Sequence, residues 1–380
     1  MSTNIYRKYS LAMISDTAFS GTQDKSLAFE PVVREIEQIA PLFKSIEWIG
    51  YKRYTTPPAN HKMPTDNSIT MNSVNATGGN TFRDKIAILI HLPGYLSQIL
   101  YLLKKNNVIY SRGPSTPALL VIILSLFFKN KIYLHKYAGG WDIKPVPFSY
   151  AFQRWLLKRQ KRGHVIIATA LENDSNFIVP LPNPCLTADE VEIGYLSIKS
   201  KIYSNGLRIC FVGRCIASKG IFDVLNTLNR LANDNILGDC TIVGNSRENE
   251  LRSRLNKQAN QCTTFAGILS RNDLNQVYSD SHIILHPSRS EGFPKVLAEA
   301  AAFGCVPVVS NLPGIDKIIQ NNVNGIILEN FHIEKIVERL LVVWSNNRKM
   351  RQMACEAHHW SKQFSYDYFL KSIIHLLTRK

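Results

Sequence analysis

Two carboxylates, Glu291 and Glu299, stand eight positions apart at the junction between a predicted loop and a predicted helix. The apolar run Ile283–Leu285 before them indicates a buried strand. Pro294 suits the first helical position, where no backbone N–H is needed, and Gly304 suits the end of the Ala-rich helix that follows. The free N–H groups and the dipole at such a helix start favour an anion. The pattern therefore predicts a cradle for a diphosphate, with hydroxyl-bearing groups on either side.

Two basic residues that could meet this anion come earlier in the chain. Arg214 follows the predicted strand Arg208–Val212, and Lys219 comes five positions later, before a glycine. A guanidinium can bind two phosphate oxygens at once, and an ammonium places a point charge beside them. Preorganised cations stabilise a leaving group that gains negative charge as its bond breaks. Both residue types can therefore bind phosphate oxygens.

Four blocks of the sequence, in this order and at this spacing, resemble retaining glycosyltransferases of the GT-B fold, family four (glycosyl transferases group 1). The blocks are Cys210–Ile221, Phe265–Gly267, Val277–Ser288 and Ser288–Glu299. The resemblance is sharp over residues 205–330 and faint before them. It implies an α/β fold of two doubly wound Rossmann-like domains facing across a cleft.

The resemblance also implies a role for each matched residue. Arg214 and Lys219 would stabilise the leaving diphosphate, Glu291 would lie near the donor sugar, and Glu299 would accept hydrogen bonds from the ribose hydroxyls. The other expected donor contacts are Gly213, Gly267, Gly292, Phe293, Pro294, Lys295 and Val296. This scheme needs no metal and no cofactor, and the sequence has no D-x-D motif that would chelate a metal-bound diphosphate.

In the first half the resemblance is looser. Related enzymes often carry a His after the strand that would here be Lys131–His135. Aligning this segment puts Tyr137 in that position, with His135 two residues earlier on the same strand face. Either side chain would then contact the donor sugar. Arg112 follows another predicted strand and would line the cleft.

Length and composition suit two domains, since the chain has 380 residues of which 45% are hydrophobic. We expect an acceptor-side Rossmann-like domain over residues 1–185 and a hinge region over 186–205. A nucleotide-sugar-binding Rossmann-like domain over 206–362 would follow. A last helix over 363–380 would pack back on the first domain.

Apolar runs alternate with segments of helical period, which predicts parallel sheets. The polar tract between residues 52 and 81 is interpreted as a mobile loop, and residues 15–21 as a loop after the first strand. The predicted strands are Ser10–Ile14, Ile46–Ile49, Ile86–Leu89, Val108–Tyr110, Lys131–His135, Val165–Ile167, Arg208–Val212, Cys240–Val243, Thr263–Phe265, His282–His286, Val306–Val309 and Gly325–Leu328.

Charge and cysteine content point to the cellular setting. With 45 basic and 29 acidic residues the net charge is +16, which favours anionic partners. The basic segment Arg154–Arg162 carries Trp and Leu, which suits an anionic membrane surface, although a solvated helix face is the alternative. Seven scattered cysteines without C-x-x-C indicate free thiols in a reducing cytosol. No signal peptide is evident, and Pro117–Phe128 is too short to span a bilayer. We expect a cytoplasmic protein, peripheral on the inner face of the cytoplasmic membrane.

The favoured function is that of a retaining glycosyltransferase. Its partners would be a nucleotide-diphosphate sugar and a saccharide acceptor, lipid-linked in bacterial surface polysaccharide synthesis such as that of lipopolysaccharide. One alternative is a nucleotide-sugar epimerase or hydrolase on the same fold, which would need more acid/base side chains from the first half. Another is a basic nucleic-acid-binding protein, which would need aromatics interleaved with Lys and Arg; this sequence lacks that pattern.

Overall fold

The computed structural model describes residues 6–22, 25–53, 61–76, 82–139, 141, 147–161, 163–167, 177–246, 249–289, 295–312, 314–329 and 332–378. The chain divides into two compact units. The first unit is Met1–Asn183 together with Phe369–Lys380, and the second is Pro184–Tyr368.

The first unit is built on one mixed sheet. Its strands are β1 (Ser10–Thr22), β2 (Lys25–Phe29), β3 (Ser45–Lys52), β4 (His61–Lys62), β5 (Ile69–Asn75), β6 (Val108–Gly113), β7 (Ile132–Tyr137), β8 (His164–Ile167) and β9 (Ile178–Pro180). Seven of them run parallel in the order β5-β3-β1-β6-β7-β8-β9, while β2 and β4 extend β1 in antiparallel pairing. The strand order reverses at β1, which makes the gap between the ends of β1 and β6 the expected ligand position.

Helices cover this sheet with apolar faces. They are α1 (Glu30–Ile39), α2 (Phe82–Lys105), α3 (Thr116–Leu124), α4 (Phe148–Lys158) and the end of α12 (Tyr366–Thr378). Ser115 caps α3 by accepting a hydrogen bond from the Ala118 N–H at 3.2 Å, and Pro117 lies in the first turn. The helix predicted for Pro117–Phe128 is confirmed as far as Leu124, and Leu126 and Phe127 beyond its end are exposed.

Three local predictions for the first half are wrong. Ile86–Leu89 lies in α2, because its apolar run continues at helical length, and four apolar residues alone cannot distinguish a strand from a helix. Residues 15–21 continue β1, where pairing with β2 and β3 holds them extended. The polar tract from 52 to 81 contains β4 and β5, and β5 adds a half-exposed parallel strand beside β3.

Within the part of the chain that the structure describes, one helix segment, residues 86–105 of α2, is long and apolar enough to cross a membrane. Only 24% of its most apolar window is buried. Core helices of soluble proteins meet the same length and composition test, so the segment alone is weak support for a membrane span.

The second unit is a fully parallel sheet with helices around it. The strands are β10 (Leu207–Val212), β11 (Leu237–Val243), β12 (Thr263–Gly267), β13 (Ile283–His286), β14 (Val306–Ser310) and β15 (Ile326–Leu328), in the order β12-β11-β10-β13-β14-β15. The helices are α5 (Ala188–Ser200), α6 (Ile221–Asn233), α7 (Asn249–Gln258), α8 (Arg271–Asp280), α9 (Lys295–Ala302), α10 (Ile333–Trp344), α11 (Asn347–Ser361) and the start of α12. Both units are thus Rossmann-like, as the predicted GT-B class requires.

The segment 186–205, interpreted as a hinge from its polar composition, carries α5 and belongs to the second unit. Thr187 and Glu190 form a reciprocal capping box that starts this helix. After α5, the buried Lys201 ammonium donates to the carbonyl groups of Tyr278, Ser281 and Phe303. The lysine therefore ties the ends of α8 and α9 to the start of the sheet.

Candidate functional site

The centre of the second sheet is the position where the strand order reverses. There β10 pairs with β13, and the chain leaves both strands at the same edge. Gly213 and Arg214 follow β10, while Pro287 and Ser288 follow β13. Ligands of open α/β sheets bind outside the carboxyl ends of strands at such a point. The structure therefore brings the two motif-bearing segments together within one unit.

Gly220 sets the contact between these segments. The turn Ala217–Lys219 ends at Gly220, whose φ is +74°. A Cβ at this position would lie 2.8 Å from the carbonyl carbon of Pro287 and nearer still to its oxygen. Only glycine allows both this left-handed conformation and this close approach. Lys219, half-buried, is thereby held beside the segment that leads from β13 toward α9.

Arg289 fastens the same two segments from the other side. Its N–H donates to Ser218 O at 2.9 Å, and its Nη1 donates to Ala217 O at 3.0 Å. The same Nη1 lies 2.9 Å from Oδ2 of Asp223 on α6. Arg289, the last described residue before Glu291, is therefore anchored on the turn that carries Lys219.

A small pocket lies at the ends of β10, β11 and β12. It has a volume of about 210 Å³, and Cys215, Ser246, Phe265 and Gly267 are among the residues that line it. The Gly213 N–H donates to Val243 O at 3.0 Å, and the Gly267 carbonyl accepts from the Gly244 N–H at 2.7 Å. No atom lies within 4 Å of where a Cβ of Gly267 would stand, so its backbone faces open space. Arg214, next to this pocket in sequence, has an exposed side chain.

Glu299 is the fifth residue of α9 and is held in an ion-pair network. Its Oε1 lies 2.9 Å from Nη1 of Arg271, and its Oε2 accepts from the Tyr278 hydroxyl at 3.3 Å. Arg271 also lies 2.6 Å from Oε1 of Glu190. Burial lowers the pKa of Arg271, but attraction to Glu299 and Glu190 outweighs burial and leaves the pKa raised. The network fixes the direction of the Glu299 carboxylate. Sequence reasoning missed Arg271 and Glu190, because no motif marks either of them.

The remaining predicted donor contacts divide into two groups. Lys295 and Val296 open the described part of α9; Lys295 donates from Nζ to Pro184 O at 3.1 Å, and Val296 packs against the apolar cluster of this unit. Glu291 and Gly292–Pro294 lie outside the described residues. Their donor contacts stay predictions.

His135 and Tyr137, predicted to contact the donor sugar, lie inside the first unit, and each is 1% exposed. The His135 ring nitrogens face Ser111 Oγ at 2.7 Å and the Gln160 amide at 3.3 Å, and burial lowers the pKa of this His to about 3. The Tyr137 hydroxyl accepts from Arg154 Nε at 3.0 Å. Both side chains are therefore packed and internally hydrogen-bonded, and their sugar contacts stay predictions.

Among the residues that the structure describes, no group of three or more His, Cys, Asp or Glu side chains is placed to hold a metal ion. The seven cysteines are free, and five of them are buried. Burial raises the pKa of the Cys215 thiol to about 11 and that of Cys240 to about 12. Raised pKa values make these thiols poor nucleophiles at neutral pH.

Comparisons with known proteins agree with this site. Residues 196–360 match the family model described as glycosyl transferases group 1. An uncharacterized glycosyltransferase of Haemophilus influenzae is 29% identical over 201 residues, which are 53% of this chain and 54% of that protein. This chain thus aligns with about half the length of that relative.

Solved structures share the fold over nearly the whole chain. HepE of Anabaena, in complex with UDP and glucose, has a TM-score of 0.67 at 12% identity and covers 97% of this chain and 99% of its own. The lipopolysaccharide outer core galactosyltransferase WaaB has a TM-score of 0.65 at 15% identity over 97% and 99%. At these identities the likeness shows the fold, and it confirms the predicted GT-B class. The segment that holds the candidate site, residues 196–360, is therefore similar to the glycosyl transferases group 1 family, as its motifs predicted.

Proposed function

We propose that this protein is a retaining glycosyltransferase that takes a sugar from a nucleotide-diphosphate sugar and transfers it to a saccharide acceptor. One observation carries the proposal: the Lys219 turn and the segment leading to α9 are fixed against each other at the central edge of the second sheet, through Gly220 and Arg289. A helix start and a cation beside the same strand ends suit a diphosphate. HepE, which shares the fold, binds UDP and glucose in its solved complex.

In this proposal the second unit holds the donor. Arg214 and Lys219 neutralise the diphosphate as the bond to the sugar breaks, which lowers the barrier because the charges are already in place. Arg271 orients Glu299. The carboxylate oxygens can accept further hydrogen bonds, and in this proposal they accept them from the ribose hydroxyls. Glu291 lies near the donor sugar. The reaction proceeds without a metal, because the two cations take the place of one.

Binding and turnover with single variants test this function. Arg214→Ala and Lys219→Ala should each weaken nucleoside diphosphate binding and lower donor turnover by about tenfold or more, since a hydrogen bond to a charged group contributes roughly 1.5–3 kcal/mol. Arg230→Ala is the matched control, because this arginine is exposed and forms an ion pair with Asp234 at the end of its own helix. Turnover should persist in EDTA, and the product should keep the anomeric configuration of the donor.

Two results would count against the proposal. Wild-type turnover by folded Arg214→Ala and Lys219→Ala proteins would remove the assigned cation role. No stabilisation of the wild-type protein by any nucleoside diphosphate in a thermal-shift panel would remove the donor site itself.

We further propose that the first unit binds the inner face of the cytoplasmic membrane through α4, and that the acceptor is lipid-linked, as in surface polysaccharide synthesis. On this helix Phe148 is 86%, Phe152 37% and Trp155 47% exposed. The Phe152 ring is stacked on the rings of both Phe148 and Trp155. The Arg159 guanidinium lies 4.1 Å from the Trp155 ring centroid, and Lys158 ends the helix. Exposed aromatic rings beside cations suit an anionic lipid surface.

Vesicle sedimentation tests this surface. The wild-type protein should pellet with vesicles containing phosphatidylglycerol and much less with phosphatidylcholine vesicles. Neutralising Lys158, Arg159 and Lys161 together should reduce pelleting, at about 1 kcal/mol per charge.

The control variant carries three neutralised cations on the other unit, at Lys335, Arg348 and Lys349, and should pellet like the wild type. Equal pelleting by both triple variants would show that net charge, and not α4, drives the association.

A further inference from the structure

The first unit has a cavity that the proposed donor chemistry does not use. It has a volume of about 570 Å³, within the range of small-molecule sites, and lies where β1 passes its bulge and β6 and β7 end. Its lining includes Asp16, Phe29, Arg53, Arg112 and Tyr150. This is the point of the first sheet where the strand order reverses, the usual ligand position in such folds.

One wall of the cavity is an arginine fixed by a buried charge cluster. Arg112 Nη1 lies 3.1 Å from Oε2 of Glu35, and Lys136 Nζ lies 2.7 Å from the same oxygen. The Tyr110 hydroxyl donates to Oε1 of Glu35 at 2.6 Å. Burial alone would raise the pKa of Glu35, but Lys136 and Arg112 hold it down at about 2. The carboxylate is therefore ionised at neutral pH.

This cluster holds more positive than negative charge. Two cations share one carboxylate, and the Lys136 and Glu35 side chains are 0% and 2% exposed. Arg112 is the member that reaches the cavity, with 16% of its side chain exposed. Its hydrogen bonds to Glu35 both use Nη1. An anion in the cavity would form a charge-assisted pair with the Arg112 guanidinium.

The other walls supply a second cation and aromatic surface. Arg53 lines the cavity with an exposed side chain, and Asp16 is the acidic residue of the lining. Desolvation raises the pKa of Asp16, and attraction to Arg112 and Arg53 only partly offsets it. Phe29 is 40% and Tyr150 36% exposed, so each presents a ring on which a sugar can lie. Paired guanidinium groups suit the two oxygens of a carboxylate or a phosphate.

We propose that this cavity binds a negatively charged group, a carboxylate or a phosphate, carried by the saccharide acceptor. Arg112 and Arg53 read the anion, and Phe29 and Tyr150 hold the sugar ring that bears it. The inference rests on the proposed transferase function for the statement that the bound saccharide is the acceptor. It adds the chemical class of that acceptor, an acidic or phosphorylated sugar.

Calorimetric titration of the full chain tests this specificity. The probes are three disaccharides that differ only at one sugar: glucose, glucuronic acid and glucose 6-phosphate. At least one of the two anionic probes should bind about tenfold more tightly than the neutral one, as expected for a charge-assisted pair. Tighter binding of the glucuronate probe identifies an acidic sugar, and tighter binding of the phosphate probe identifies a phosphorylated one.

Arg53→Gln should abolish this preference. Because Arg53 is exposed and lies outside the buried cluster, its replacement does not threaten folding. Lys52→Gln is the matched control, since Lys52 is an exposed neighbour that does not line the cavity, and it should keep the preference. Equal or no binding of all three probes by the wild type overturns the inference, and so does full preference in Arg53→Gln.

Parallel titration with UDP and other nucleoside diphosphates separates this inference from the proposed function. Nucleotide binding without anion preference refutes the cavity assignment and leaves the donor site standing. Anion preference without any nucleotide binding refutes the transferase proposal and leaves the cavity as an anionic-saccharide site.

Discussion

The Gly220→Ala substitution probes whether the donor site depends on the close contact between two loops. At φ +74° an alanine adopts a left-handed conformation that costs roughly 1–2 kcal/mol. Its Cβ would also stand 2.8 Å from the Pro287 carbonyl carbon, and backbone cannot yield as a side chain can. Overpacking of this kind costs typically about 1–3 kcal/mol. The two terms give an expected loss of roughly 2–5 kcal/mol in the free energy of unfolding.

Gly314→Ala separates the two terms. Gly314 has φ +85°, and no atom lies within 4 Å of where its Cβ would stand, so this variant carries the conformational cost without the overlap. Urea denaturation of both variants should therefore show a loss of about 1–2 kcal/mol for Gly314→Ala and a larger loss for Gly220→Ala. Calorimetric titration with UDP should show weakened binding only where the Lys219 turn has been displaced, in Gly220→Ala.

Equal losses of stability in the two variants would show that the overlap with Pro287 costs nothing. A second contradicting result is a Gly220→Ala protein that loses stability as expected but binds nucleoside diphosphates like the wild type. In that case the contact would hold the fold but would not position the donor site.

Two stability predictions follow from the buried charges. Glu35→Gln should lower the free energy of unfolding by roughly 3–5 kcal/mol at neutral pH, because it leaves two buried cations without their carboxylate. Glu37→Gln, which removes the less buried pair with Lys62, should lower it less. The pKa of Glu35 is about 2 in the folded protein and 4.5 in the unfolded chain, so the unfolded chain takes up the proton first as the pH falls. The ionised carboxylate therefore contributes about 3 kcal/mol to the free energy of unfolding above pH 4.5, and this contribution is lost as the pH falls toward 2. Urea unfolding of wild type and Glu35→Gln should converge in acid, and a constant difference would contradict this. Lys201→Met should lower the free energy of unfolding by roughly 2–4 kcal/mol, because three carbonyl groups lose their hydrogen-bond donor. Lys199→Met, at an exposed position, should lower it by less than about 0.5 kcal/mol. Equal losses in the two variants would contradict a stabilising role for the Lys201 hydrogen bonds.

Much of the second unit could be predicted from local pattern. Its strands β10, β13 and β14 are buried on both faces, so they read as continuous apolar runs. Motif spacing placed Arg214 after β10 and Glu299 inside α9. The secondary structure of the first unit was harder to predict. Its added strands, such as β5, are half-exposed and polar, so they carry no apolar period, and the long apolar α2 begins like a strand.

The sequence by itself determined the family resemblance, the alternation of strands and helices, and the residue types around the donor motif. These depend on neighbours within a few positions, where spacing fixes geometry. Only the tertiary structure decided which distant side chains meet. It paired Glu299 with Arg271, turned His135 into a packed core residue, and gathered Glu35, Arg112 and Lys136 beside a cavity. Periodicity reports that a side chain is buried, but its partner depends on how the chain crosses the sheet.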